Sequence, residues 1–145
     1  MVVVFIRHGE KRRTESDPEL TSAGRQMASE TGRWLVTQNF IPDLIITTAT
    51  HRTRQTVEEI GIVLEREIPV EERHLPDLHR DWQDLVERLA ARHTPPAVVV
   101  CVGHHPTMNM LKRAYPPPVE IPRRHFASAI AIEDGRCVGA WPGRP

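Results

Sequence analysis

Two unbroken apolar runs constrain this chain more than any other feature. Val2-Val3-Val4-Phe5-Ile6 and Ala97-Val98-Val99-Val100-Cys101-Val102 are rich in β-branched residues and show no polar alternation. A strand of that kind must be covered on both faces, as in a parallel sheet held between helices. Both runs fall far short of the roughly 20 residues that cross a bilayer. The segments between them read as helices and shorter strands. Thr21 can cap a helix running to about Gln38, with Met27, Trp34 and Leu35 on its buried stripe and Asn39 as its stop. Residues 43–47 form a short strand. Thr48 and Thr50 can then cap a helix through about Arg66, with Val57, Ile60 and Leu64 on one face.

Residues 68–70 suggest a brief third strand, followed by a loop containing Pro76. Residues 80–93 are strongly amphipathic, with Trp82, Leu85, Val86 and Leu89 at helical spacing, and Pro95-Pro96 close that helix. A last helix starts near Pro106, since proline is tolerated in a first turn. The prolines of residues 115–122 imply an extended surface connection. Residues 126–132 and 138–141 pair as strands about a turn at Glu133-Asp134-Gly135-Arg136. Alternating strands and helices give an α/β fold: a three-layer α/β/α sandwich on a mainly parallel sheet, with residues 1–145 forming one domain. A chain of 145 residues buries enough surface to need no staple.

Nineteen Lys and Arg balance nineteen Asp and Glu, which removes the basic excess expected of a nucleic-acid binder. The balance is uneven locally, because Arg7, Lys11, Arg12 and Arg13 crowd the first loop. Cys101 and Cys137 show no metal or redox spacing, and Cys101 sits inside an apolar strand, as expected of an inert thiol in a reducing compartment. The first apolar run is too short for a signal-peptide core. The expectation is therefore a cytoplasmic protein without membrane contact.

Open α/β sheets bind ligands beyond the carboxyl ends of their strands. Three polar signals fall there: Arg7-His8-Gly9 after the first strand, Thr47 to Arg52 after the second, and Gly103-His104-His105-Pro106 after residues 97–102. Together His8, His104, Arg7 and Arg52 call for an anion, and the guanidinium fork matches phosphate oxygens in pairs. A neutral imidazole is also a competent nucleophile toward phosphorus, and the remaining donors can stabilise the transferring group. Gly9 would relieve crowding beside the phosphate and the turn.

The segments FIRHGE, TTATHRTRQTVEE and VVCVGHHP resemble, in order, the three signature segments of the histidine phosphatase (phosphoglycerate mutase-like) superfamily. Leu20-Thr21-Ser22-Ala23-Gly24 is similar to its Leu-Thr-x-x-Gly helix start. Thr47-Thr48-Ala49 stands where the family usually has Ser-Ser-Pro, whereas Arg52, Gln55 and Thr56 match. The resemblance implies a phosphohistidine intermediate on His8, with Arg7, Arg52 and His104 binding the phosphoryl group, and neither metal nor cofactor. The chain has no room for the insertions that roof the mutases and acid phosphatases. It is most similar to the short SixA-type phosphohistidine phosphatases, through Leu75-Pro76-Asp77 and Ser128-Ala129-Ile130-Ala131. Longer members place the general acid in a Leu-x-Glu step, whose counterpart here is Asp77, with Glu10, Glu71 and Glu72 as other carboxyls.

The implied partner is a phosphorylated substrate, either a phosphohistidine on a signalling protein or a small sugar or aryl phosphate. His105 is expected at the substrate rim, Arg12 and Arg13 on a basic rim, and Arg54 in a helix-surface pair with Glu58. His51, His74, His79, His93 and His125 read as ordinary surface or loop residues, and Trp34 and Trp82 as core. Two other readings compete: a metallohydrolase holding its ion on His8, His104 and His105, and a family member that binds a phosphorylated ligand without turning it over.

Overall fold

The computed structural model describes residues 1–13 and 16–145, with the side chains of all of these except residues 75–77. Its elements follow in the order β1 (Val2–Arg7), α1 (Ser22–Thr37), β2 (Leu44–Thr48), α2 (His51–Leu64), β3 (Val70–Arg73), α3 (Leu75–Arg80), α4 (Trp82–Ala90), β4 (Val98–Gly103), α5 (His105–Ala114), β5 (Ala129–Glu133) and β6 (Arg136–Trp141). The strands form one sheet in the order β3-β2-β4-β1-β5-β6. The first four are parallel, and β5 and β6 are antiparallel to their neighbours.

Both apolar runs lie at the centre of that sheet, paired in register from Val2 opposite Val98 to Arg7 opposite Gly103. Successive side chains alternate between its faces. Val3, Phe5, Val99 and Cys101 meet Leu78, Trp82, Leu85, Leu89, Met108 and Leu111 from α3, α4 and α5. Val4, Ile6, Val100 and Val102 meet Leu35, Ile60 and Leu64 from α1 and α2. Helices thus cover both faces, which produces the three expected layers. No helix among the described residues is long and apolar enough to cross a membrane.

Four departures from expectation have physical causes. The third strand runs later than residues 68–70, because it is an edge strand whose pairing with β2 sets its position, from Val70 opposite Ile45 to Arg73 opposite Thr48. Val70 is exposed, so burial does not mark the strand. The loop around Pro76 is helix α3, with the proline in the first turn, where no backbone donor is needed. The strand expected from Phe126 begins only at Ala129, because Ala127 is left-handed at φ 54° and breaks the extended run. Asp134 and Gly135 both have positive φ, which makes a tight two-residue hairpin turn and lets β6 start at Arg136.

Caps follow the sequence closely. Thr21 accepts from the Gly24 N–H, and Thr50 forms a reciprocal capping box with Thr53. Arg54 does not pair with Glu58. Its fork engages Glu72 of β3 at 2.6 and 3.0 Å, while Arg25 of α1 takes Glu58 and Glu59. Trp82 is core, whereas Trp34 is half-buried at the sheet margin between Phe40 and Trp141.

Candidate active site

β1 and β4 are adjacent and parallel, yet the chain leaves β1 toward α1 on one face and leaves β4 toward α5 on the other. Such a divergence opens a crevice at the carboxyl ends of the two strands. His8 follows β1 there and His104 follows β4. The His8 N–H donates to the Gly103 carbonyl at 3.0 Å, which ties the two turns together.

Gly9 explains why the first turn holds its shape. A Cβ there would collide with the Gly24 carbonyl oxygen, and one at Gly24 would collide with the Glu10 carbonyl oxygen. The glycines of the two motifs therefore let two backbones cross. The crowding that Gly9 relieves comes from the first turn of α1. The Gly9 N–H donates to Thr56 Oγ1 at 3.1 Å, and that hydroxyl donates to the Arg52 carbonyl at 2.7 Å.

His8 is 4% exposed. Its Nδ1 donates to the Gly9 carbonyl at 2.7 Å, an assignment forced by the acceptor, so the lone pair lies on Nε2. Burial pushes the His8 pKa down to about 3. The Gly9 carbonyl opposes that shift, and His104, Arg52 and Arg7 reinforce it. The ring is neutral at physiological pH.

His104 lies edge-on to His8, with ring centroids 5.4 Å apart. Arg52 Nη2 lies 3.3 Å from His104 Nδ1, and Thr48 Oγ1 lies 2.9 Å from Nε2. A guanidinium only donates, so Nδ1 accepts and the Nε2–H donates to Thr48. The Thr48 hydroxyl in turn donates to Thr53 Oγ1 at 3.1 Å, which donates to the Thr48 carbonyl at 2.8 Å. Burial, then Arg52 and Arg7, lower the His104 pKa to about 4.

Arg7 is clamped from the other side. Its Nη1 donates to the Arg123 and His125 carbonyls at 2.7 and 2.8 Å, and its Cζ lies 4.5 Å from the centroid of the Phe126 ring. Arg52 lies 3.6 Å from Asp17. The Nε atoms of both arginines are buried without a partner among the described residues. A buried unpaired donor costs about 1–3 kcal/mol, so both guanidinium groups are left short of an acceptor such as an anion's oxygen. The structure thus gathers Arg7, His8, Arg52 and His104 from three distant segments.

His105 stands outside this group, accepting from Arg123 Nε at 3.0 Å. The side chain of Asp77 lies outside the described residues. The other expected carboxyls are engaged elsewhere: Glu10 with Thr21, Glu71 with Arg92 and Glu72 with Arg54. His125, read from sequence as an ordinary loop residue, holds Arg7 through its carbonyl and lies close to Pro142 through Nδ1. Thr48, Thr53, Asp17 and Phe126 were not among the expected site residues. Thr48 reads from sequence as a helix cap, and nothing local marks Thr53, Asp17 or Phe126. Cys101 is fully buried and its thiol pKa is pushed up to about 12, as fits an unreactive side chain. Among the described residues, no three His, Cys, Asp or Glu are placed to hold a metal ion.

A model of the histidine phosphatase superfamily (branch 1) matches residues 3–75, the half of the chain that carries the first two signature segments. The chain belongs to the histidine phosphatase superfamily. No curated protein matches its sequence, but solved structures of the family share its fold. The protein assigned as phosphohistidine phosphatase SixA in Agrobacterium tumefaciens is 20% identical, with a TM-score of 0.74 over 97% of this chain and 96% of that one. The protein histidine phosphatase SixA complexed with tungstate is 18% identical, with a TM-score of 0.73 over 99% and 96%. A mycobacterial glucosyl-3-phosphoglycerate phosphatase is 19% identical, with a TM-score of 0.67 over 99% of each chain. The family and these neighbours together support a phosphatase, and the compact sheet and helices are phosphoglycerate mutase-like.

Proposed function

We propose that the protein hydrolyses phosphohistidine or aryl phosphate through a covalent intermediate on His8. One observation carries this reading. The His8 ring is buried and neutral, its Nδ1 is committed to the Gly9 carbonyl, and its Nε2 carries the lone pair beside Arg7, Arg52 and His104.

In the first step Nε2 forms a bond to phosphorus as the bond to the leaving group breaks, and that group departs with a proton. Arg7 and Arg52 stabilise the charge on the equatorial oxygens, Arg7 held beforehand by the carbonyl clamp and Arg52 by Nδ1 of His104, which the threonine relay orients through Nε2. Water then attacks phosphorus, the bond to Nε2 breaks, and inorganic phosphate leaves. Protonation of the leaving group decides the substrate class. A well-placed acid contributes roughly a hundred- to ten-thousand-fold, and the three glutamates considered for that role are engaged in other pairs. Asp77 is the carboxyl we assign to it, after a proline and one methylene shorter than glutamate. An imidazole leaving group carries its own proton and depends least on such an acid, and an alkyl alcohol depends most.

The natural substrate on this reading is a phosphohistidine on a signalling protein. Comparing turnover of a phosphohistidine peptide, p-nitrophenyl phosphate and a sugar phosphate tests it. The first two should exceed the third by at least an order of magnitude; a preference for the sugar phosphate would overturn the assignment in favour of a small-molecule phosphatase. Tungstate, bound in the similar SixA structure, should compete with all three.

A further inference from the structure

Beside the phosphate-binding centre an open groove of about 730 Å³ follows α5. It includes His105 and Arg123, the hydrogen-bonded pair next to His104, and extends to Arg113 in the last turn of the helix. Pro106 and Met110 also line it, as does His79 of α3. Arg113 and Arg123 are exposed and form no ion pair among the described residues. The His79 Nδ1 is buried without a partner among them. None of the described lining residues is a carboxylate. Lys112 sends its Nζ to the Ile121 carbonyl at 2.6 Å and adds to the same positive field. Glu120 lines an adjoining hollow instead.

We propose that this groove docks an acidic segment of the phosphorylated polypeptide whose phosphoryl group reacts at His8. The inference rests on the phosphatase reading and adds which part of the substrate is recognised, by what chemistry and where. Charge complementarity carries it. Two arginines bracket an apolar strip in a wall without a carboxylate among the described residues, on a chain whose charges otherwise balance. Length argues for a polypeptide, because the ten residues of α5 span about 15 Å, more than a small phosphoester needs. Groove and centre are also one mechanical piece. The Arg123 carbonyl holds Arg7 while its side chain holds His105, so a segment seated in the groove is in register with the phosphate arginine. Its described lining residues include no Phe, Tyr or Trp on which bases would stack, which disfavours nucleic acid.

The test uses the full chain and two matched pairs of peptides, carrying phosphohistidine or phosphotyrosine, flanked by glutamate in one member and glutamine in the other. p-Nitrophenyl phosphate is assayed in parallel. The acidic member should have the higher kcat/KM by about tenfold, as expected of two partly screened charge pairs. That ratio should fall toward one in about 0.5 M salt and in Arg113→Glu at low salt. A ratio near one in the unaltered protein, or a ratio that survives Arg113→Glu, overturns the proposal. So does turnover of p-nitrophenyl phosphate with no turnover of any peptide. Loss of p-nitrophenyl phosphate turnover as well, with no phosphoenzyme formed, would instead reject the phosphatase reading beneath it.

Discussion

The proposed phosphate-binding centre and its rim are both cationic, yet they are built in opposite ways. In the centre the rings and one guanidinium arm are fixed by named partners, His8 Nδ1 by Gly9, both nitrogens of His104 by Arg52 and Thr48, and Arg7 Nη1 by two carbonyls. This leaves His8 Nε2 and the two arginine Nε atoms unpartnered among the described residues. On the rim Arg12, Arg13, Arg113, Arg123 and Arg124 are exposed, where charges are screened and side chains are free to adapt. A fixed centre suits chemistry, since oriented donors need no reorganisation when charge develops. An adaptable rim suits selection of partners. Substitutions in the first region should therefore change rate or fold steeply, and those in the second should change preference gently.

The largest effect should come from His8→Asn, which removes the nucleophile. Loss of kcat by about 10⁴-fold or more is expected, with the folded structure retained in a circular dichroism spectrum. Gly9→Ala should follow, because its methyl meets the Gly24 backbone, which cannot swing aside as a side chain can. A loss of at least about 1–3 kcal/mol should appear as a lower denaturation midpoint, together with low activity. Thr48→Val keeps the shape but removes the acceptor of the His104 Nε2–H. About 1–3 kcal/mol of unpaired donor predicts a fall of roughly ten- to a hundred-fold in kcat for p-nitrophenyl phosphate, with a smaller change in KM. An unchanged kcat would remove the threonine relay from the account.

A smaller effect should appear in the pH dependence of stability. His8 and His104 have folded pKa values of about 3 and about 4, below the ordinary value near 6.5. Between those values and 6.5 the unfolded chain binds protons that the folded chain does not. Stability is therefore complete above about pH 6.5 and is lost as pH falls below it. Denaturation midpoints measured from pH 7 to pH 5 should decline, and the decline should be shallower in His8→Asn. Smallest of all should be Arg12→Ala and Arg13→Ala, within about 0.5 kcal/mol of the unaltered stability and within about threefold in turnover of p-nitrophenyl phosphate. A large loss at either would make the rim part of the catalytic apparatus and erase the contrast.

How much of this was legible in the sequence follows from where each signal resides. β1 and β4 announce themselves because both of their faces are buried, whereas β3 does not, because it is an edge strand with an exposed valine. α3 was hidden by Pro76, which reads as a breaker unless its place in the first turn is known. Ala127 at positive φ displaced the start of β5, and alanine gives no warning of that conformation. In the site, Arg7, His8, Arg52 and His104 were visible because strand ends are where ligands bind and because these residues are chemically out of place beside apolar runs. Thr48, Asp17 and Phe126 were not, because their roles exist only once α2, the first loop and the segment before β5 close on one another.

The most direct test is capture of the intermediate. Rapid quenching of the protein during turnover of ³²P-labelled substrate, followed by peptide mapping, should place an acid-labile, alkali-stable phosphate on His8, with none in His8→Asn. Full turnover with no bound label, or label on His104 or any other residue, would contradict the assignment of His8 as the nucleophile.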